Sequence, residues 1–352
     1  MDLSYGELYS YLNHSEKDEF KDMEKKSLSS KRGVVDANMN TDKKHLEYVN
    51  LCIKPFEVGG RAYKETGYYF VCVDPLYNVG VKNFDLMLYC EETKVAILIE
   101  CKSGIANLGK ELNELTEKMG AAQENKRTLE GIIGGLEIKD IEYVLCIPAV
   151  YESGVFTAMA ALKTKPPIII WTVDMFGGVI KVDGRFKKHS HDELNKIIQS
   201  EAWDGPQIIT LMPSTHMGIA LTEVVVLLLR KFKGRNELNI SDLCEMLKTE
   251  IRNYPNDWIQ DFATKILESG KECNIFEVNG SKFKFTMSTN VYAVKTATER
   301  YISYHSNKLM KAELEPILYE RVKNRIKVKT EPLGEQKVLF DSKDNEINAE
   351  KR

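Results

Sequence analysis

The order of elements readable in this chain is that of an α/β protein, a mixed sheet flanked by helices, with a smaller α+β region after it. Three observations predict it. Four short runs rich in Val, Ile, Leu and Tyr, each bounded by turn residues, lie between Tyr68 and Val150, as strands do. A stretch of helical periodicity separates the third run from the fourth, as a crossover connection would. Beyond Met212 three helix-like stretches are followed by a hairpin pattern.

Composition bounds the rest. The chain has 352 residues, 43% hydrophobic and 29% charged, enough for two folded domains. No run of about 18 apolar residues occurs, so no transmembrane helix is expected. The first twenty residues are acidic and do not read as a secretory signal. Seven cysteines form no C-x-x-C pair. They are expected to be small buried hydrophobes in a reducing compartment, which places the protein in the cytoplasm and predicts no zinc site. The net charge of −3 excludes a globally basic nucleic-acid binder. Basic clusters occur locally, at Lys181–Lys188, Arg230–Arg235 and Arg321–Lys329. No Gly-rich phosphate loop is present, which disfavours an ATP-driven enzyme.

Residues 1–44 are polar and predict a short helix followed by a flexible connection. KKHLEYVNLCIKPF, from Lys43, reads as the end of a helix running into a strand. YYFVCVD, NFDLMLYC, KVAILIEC and YVLCIPAV are the four strand runs, and PIIIWTVDM is a fifth. Leu112, Leu115, Met119, Ala122, Leu129 and Ile133 recur on one face of a single helix over about Leu108–Ile133. These elements predict an α/β domain over 45–212. From 213 to 290, ALTEVVVLLLRKF, ISDLCEMLKTE and DWIQDFATKILESG are helices, with Ser241 as a cap and Gly270 as a stop. NIFEVNGSKFKFTM is a hairpin around Asn279-Gly280. Three helices and a hairpin in this order predict a winged-helix-like α+β domain. A C-terminal helix with a basic segment covers 291–330, and 331–352 is a charged tail expected to be disordered.

The chemistry is concentrated in GVKNFDLMLYCEETKVAILIECKSG, from Gly80 to Gly104. A turn near Glu91–Thr93 folds two strands together and brings Asp85 toward Glu100. Side chains at i and i+2 share a face, so Glu100 and Lys102 project together and Cys101 points the other way. Val95–Ile99 is an unbroken apolar run, as in a strand covered on both faces. A carboxylate and an ammonium at the end of such a strand are costly unless paired or bound to a metal. Two carboxylates are hard ligands for Mg²⁺, and a lysine beside them suits phosphodiester hydrolysis.

At Asp85, Glu100, Cys101 and Lys102 the chain resembles the PD-(D/E)XK nuclease superfamily. Its pattern is an Asp, a gap of roughly ten to thirty residues, then Asp or Glu, any residue, and Lys. Here 14 residues separate the two carboxylates. Phe84 stands where the family often has proline, and Asp74-Pro75 has the pair reversed and is given no role. The resemblance implies a restriction-endonuclease-like core with Asp85, Glu100 and Lys102 catalytic. It also implies Mg²⁺, or Mn²⁺ in its place, held by Asp85, Glu100 and the Cys101 backbone carbonyl. Glu47 on the first core helix and Gln123 on the helix after the motif are the supporting candidates it suggests. DNA is the expected partner, with phosphate contacts from Lys126, Arg127, Lys265, Lys282, Lys284, Arg321, Lys323 and Arg325. A homodimer would suit duplex cleavage by one site per chain. The expected function is a metal-dependent DNA endonuclease, of the restriction type first and a repair or mobile-element nuclease second. The alternative is an inactive nuclease-like fold that binds DNA or recruits other proteins. His189 and His191 are expected to be surface residues rather than a metal pair.

Overall fold

The computed structural model describes residues 3–161, 167–174, 179–200, 210–212, 214–233, 235, 237–250, 256–290 and 292–330. The tail expected to be disordered lies outside them. The chain divides into two compact units, one of Val34–Tyr304 and one formed by the residues up to Gly33 together with those from His305. In chain order the first elements are α1 (Tyr5–Ser10), α2 (His14–Ile53), α3 (Arg61–Thr66), β1 (Tyr68–Val73), β2 (Leu86–Cys90) and β3 (Val95–Cys101). There follow α4 (Leu108–Glu124), α5 (Lys126–Ile132), β4 (Asp140–Pro148), α6 (Glu152–Ala161), β5 (Ile168–Asp174), β6 (Val179–Val182) and α7 (Asp192–Ser200). The last are α8 (Met217–Lys231), β7 (Leu238–Asn239), α9 (Ile240–Glu250), α10 (Asn256–Glu272), β8 (Phe276–Asn279), β9 (Lys282–Phe285) and α11 (Ala293–Thr330).

The mixed α/β architecture is as expected. β1 to β6 make one sheet in sequence order. β3, β4 and β5 are parallel, and the other pairings are antiparallel. Strand alternation divides the buried side chains between two cores. One face carries Leu88, Ile97, Ile99, Val144 and Trp171 against Leu46, Val49 and Ile53 of α2. The other carries Met87, Leu98, Leu145 and Ile170 with Leu112 and Leu115 of α4 and Val155 of α6. The two-sided burial explains the unbroken apolar runs of the central strands.

Several expectations are corrected. The first 44 residues are not a short helix and a flexible link: α2 is one helix of 40 residues. Its serines are poor helix formers, but helices draw most of their stability from packing, and Val35, Met39, Leu46, Val49 and Ile53 are all buried. No strand follows His45, because α2 runs on to Ile53 and α3 precedes β1. The single helix expected over Leu108–Ile133 breaks at Asn125, where ψ is 23°. β6 was not expected. The boundary expected at 212/213 falls inside the Val34–Tyr304 unit, where Ile219, Leu221, Val225 and Leu228 of α8 share the core that α2 builds.

In the same unit β7, β9 and β8 form a small sheet, and Gly280 turns the β8–β9 hairpin with φ of 57°. Ser241 does not cap α9, which already starts at Ile240. Asp242 reaches back to accept from the Asn239 N–H at 3.0 Å. Gly270 does not end α10 either. It lies inside the helix, where a Cβ would come within 2.2 Å of the Phe276 ring, and Asn274, at φ 55°, makes the exit.

The other unit is helical. Leu8, Leu12 and Phe20 pack with Met310, Leu314, Leu318 and Val322. Arg325 grips the Glu16 carboxylate with both terminal nitrogens, at 2.7 and 2.8 Å.

Candidate active site

The β2–β3 hairpin places the first two residues. Its register pairs Leu86 with Ile99, and the Asp85 N–H donates to the Ile99 carbonyl at 3.0 Å. Asp85 therefore lies beside Glu100 at the end of the sheet. Phe84, in the position the motif often gives to proline, is buried and stacks on Tyr143 at 5.6 Å, which anchors the turn into β2. Asp85 and Glu100 are only 8% and 3% exposed. Alternation along β3 works as expected: Glu100 and Lys102 meet, with Nζ 2.8 Å from Oε1, and Cys101 faces α2.

A chain of opposite charges surrounds the pair. Lys102 Nζ also lies 2.8 Å from Glu111 Oε2 of α4. Lys118, two turns further along α4, binds the other Glu100 oxygen. Asp85 Oδ2 accepts from the Cys101 N–H at 2.6 Å, and His45 Nε2 of α2 lies 3.4 Å from Asp85 Oδ1. Asp74, at the end of β1, donates its backbone N–H to the Asp85 carbonyl at 2.9 Å. Its Oδ2 is buried with no hydrogen-bond donor.

These contacts set the protonation states. Burial pushes Asp85 up, but the hydrogen bond and charge of His45, the charge of Lys118 and the Cys101 amide bring it below its ordinary value. Burial and the neighbouring Asp85 hold Glu100 above its ordinary value despite both lysines. Burial and Asp85 raise Asp74 to about 7. Burial opposes the charge on Lys102, yet Glu100 and Glu111 overcome it and hold the ammonium well above its usual range. His45 behaves likewise: burial lowers it, and Asp85, Glu100 and Asp42 together raise it. Four carboxyl groups, Asp74, Asp85, Glu100 and Glu111, thus face two lysines and one histidine.

The structure brings together Asp85, Glu100 and Lys102 but not the two supporting candidates. Glu47 is half-buried and its carboxylate acts on Glu223 of α8; the α2 residue at the site is His45. Gln123 donates to the Tyr143 hydroxyl at 2.8 Å, tying α4 to the sheet. Glu111 and Lys118 take the place expected for it. Sequence reading missed His45, Asp74, Glu111 and Lys118. The seven-residue spacing of Glu111 and Lys118 on one helix face was the available signal.

The cations expected to meet phosphate mostly have acidic partners. Lys265 pairs with Asp261 at 2.6 Å, Lys282 with Glu237 at 2.7 Å and Lys284 with Glu277 at 3.0 Å. Arg321 lies 3.5 Å from Glu19, Lys323 binds Glu320 and Arg325 binds Glu16. Lys126 and Arg127 open α5 rather than continuing the polar face of α4.

His189 corrects another expectation, being buried at 3% exposure. Its Nε2 accepts from Trp171 Nε1 at 2.9 Å. Tryptophan only donates, so the hydrogen must sit on Nδ1, which donates to Glu142 at 2.6 Å. The Ser190 N–H donates to the other Glu142 oxygen at 2.7 Å.

No helix among the described residues is long and apolar enough to cross a membrane. The chain is similar to an uncharacterized protein of Archaeoglobus fulgidus, 22% identical over 355 residues, covering 86% of this chain and 92% of that protein. No family model and no solved structure matches it.

Proposed function

We propose that this chain is a metal-dependent DNA endonuclease of the restriction type, with a PD-(D/E)XK core over about 45–212. The observation that carries this reading is the meeting of Asp85, Glu100 and Lys102 at the buried end of β3, in a cluster with more carboxyl groups than cations. The element order α2, α3, β1, β2, β3, α4, α5, β4 supports it, since apart from the short α3 and α5 it is the order that the family core has.

No three side chains of the cluster lie within 4.8 Å of one another by their ligand atoms, so a hard divalent ion would take two carboxylates and a backbone carbonyl. Carboxylate oxygens are the ligands Mg²⁺ prefers, the excess negative charge calls for a cation, and Asp74 Oδ2 is a buried acceptor without a donor. Asp85, Glu100 and the Cys101 carbonyl would hold Mg²⁺ or Mn²⁺, which when bound supplies an activated water and neutralises charge at the scissile phosphate. Lys102 remains an ammonium, so it acts by charge and position rather than as a proton acceptor. Glu100 and Glu111 fix its Nζ, where it can orient the attacking water or face the charge that grows on the phosphate. His45 and the Cys101 amide each hold one oxygen of Asp85 and so fix its plane.

The 213–290 region supports a winged-helix reading by its three helices and hairpin, with β7 completing the hairpin's sheet. The acidic partners of Lys265, Lys282 and Lys284 favour protein contact over a grip on DNA for this region. A homodimer would bring two such sites to the two strands of a duplex.

The test is cleavage of supercoiled plasmid and linear duplex in Mg²⁺ or Mn²⁺, with and without EDTA, by the wild type and Lys102→Ala. Metal-dependent cutting that the variant loses supports the reading. Metal-independent retention of DNA without cutting by either protein would replace it with the binding-protein alternative.

A further inference from the structure

Directly behind the carboxylates, on the opposite face of β3, three thiols meet. Cys52 comes from the end of α2, Cys101 from the end of β3 and Cys146 from β4. All three are fully buried. Cys52 Sγ lies 3.4 Å from Cys146 Sγ and 3.9 Å from Cys101 Sγ, and all three sulfurs are within 4.8 Å of one another. Neither the motif nor the proposed hydrolysis uses them.

The size of this triangle admits a bound ion. With sides of 3.4, 3.9 and at most 4.8 Å, its centre is no more than about 2.4 Å from each sulfur. A zinc–thiolate bond is about 2.3 Å. Three thiols in plain van der Waals contact span a triangle of similar size, so this one accommodates an ion without demanding it. Thiolates are soft ligands that select zinc and cuprous ions and leave Mg²⁺ to oxygen donors. Among the described residues no other three His, Cys, Asp or Glu side chains have ligand atoms within this reach.

We propose that Cys52, Cys101 and Cys146 bind one soft, thiophilic cation of the zinc or cuprous class in a three-sulfur site. The thiol protons leave to solvent as the sulfurs bind the ion. Such an ion ties α2 to two central strands through one centre. It also braces the Cys101 peptide, whose N–H holds Asp85, so the soft site supports the carboxylates without touching substrate. The site is dry, and the ion is taken up as the chain folds, so loading is tested on the full chain refolded in the presence of the ion.

The experiment refolds the chain with Zn²⁺, Cu⁺ under a reducing atmosphere, Cd²⁺ as a spectroscopic probe, or Mg²⁺ as a control, then dialyses it and measures bound metal by mass spectrometry. One equivalent of a thiophilic ion is expected with a thiolate-to-cadmium absorption band, and none of Mg²⁺. The Zn²⁺ and Cu⁺ arms identify the ion. Cys52→Ala and Cys146→Ala should lose the equivalent and the band, while Cys72→Ala and Cys273→Ala should keep both. Should the first two variants fold poorly, wild type alone decides: a chelator selective for thiophilic ions present during refolding lowers Tm, and Zn²⁺ restores it. No retained ion, a band that survives Cys52→Ala and Cys146→Ala, or a Tm indifferent to chelator and Zn²⁺ would overturn the site and leave three packed thiols. None of these readouts depends on DNA cleavage.

Discussion

Two buried carboxylate networks sit on the same sheet and differ in how they are closed. Around Glu142 both oxygens accept one hydrogen bond each, from His189 and Ser190, and His189 is completed by Trp171. No oxygen of Glu142 is left over. Around Glu100 and Asp85 each carboxylate oxygen also has a partner, but the acids outnumber the cations, Asp74 keeps an acceptor without a donor, and Asp85 pushes the protonation of Glu100 and Asp74 upward. A buried polar network that closes on itself serves the fold, whereas one left strained by excess charge is a candidate for binding or chemistry. The two lie on adjacent parallel strands, β3 and β4, so burial alone does not distinguish them.

The comparison breaks most sharply at two substitutions. Lys102→Ala should lower metal-dependent cleavage by about 10²–10³-fold, the usual cost of one charge-stabilising donor, with little loss of stability because Lys118 still holds Glu100. Glu142→Ala should do the reverse. It strands two donors at about 1–3 kcal/mol each, seen as a lower denaturation midpoint with unchanged cleavage per folded molecule. If Glu142→Ala abolished cutting in a stably folded protein, the closed network would belong to the site after all.

The pH dependence of Glu142 sharpens the same contrast. Burial raises this carboxyl, but His189 and Ser190 outweigh it and the folded value is lowered. Its stabilising contribution is therefore complete above the unfolded value of about 4.3 and is lost as pH falls below that through the folded value. The Tm difference between wild type and Glu142→Gln should hold from pH 7 to about 5 and shrink toward pH 3. A constant difference over that range would show that the carboxylate charge adds nothing.

The sheet was legible because its strands are apolar on both faces, and Asp85, Glu100 and Lys102 because spacing along a strand fixes which side chains meet. The remainder depended on contacts distant in sequence. His45 reaches Asp85 from a helix whose polar start hides its length. Asp74 was set aside for its neighbour Pro75, although the pairing of β1 with β2 brings it to Asp85. His189 looks like a loop residue in KKHSHDEL, and only the folded chain puts Trp171 and Glu142 on its two nitrogens. The three thiols come from separate elements with no local motif, so their meeting has no signature in spacing.

A smaller expected effect tests whether charge excess, rather than charge as such, marks the site. Asp74→Asn removes a carboxyl that lies among like charges and has a buried oxygen without a donor. Relief of repulsion should raise stability by about 1 kcal/mol near pH 8, as replacing strained functional groups often does, while the Mg²⁺ needed for half-maximal cleavage rises several-fold. Smallest of all, Lys265→Ala, Lys282→Ala and Lys284→Ala each break an exposed pair with an acid, and such pairs contribute about 0–1 kcal/mol. Tm should scarcely move. Each cation already has its counter-charge, so the salt dependence of DNA retention should keep its slope, where each lost phosphate contact would reduce that slope by about 0.9. A clear drop in slope would return the small β7–β9–β8 region to the DNA interface. An unchanged slope together with the Asp74→Asn trade-off would confine the functional charge to the end of β3.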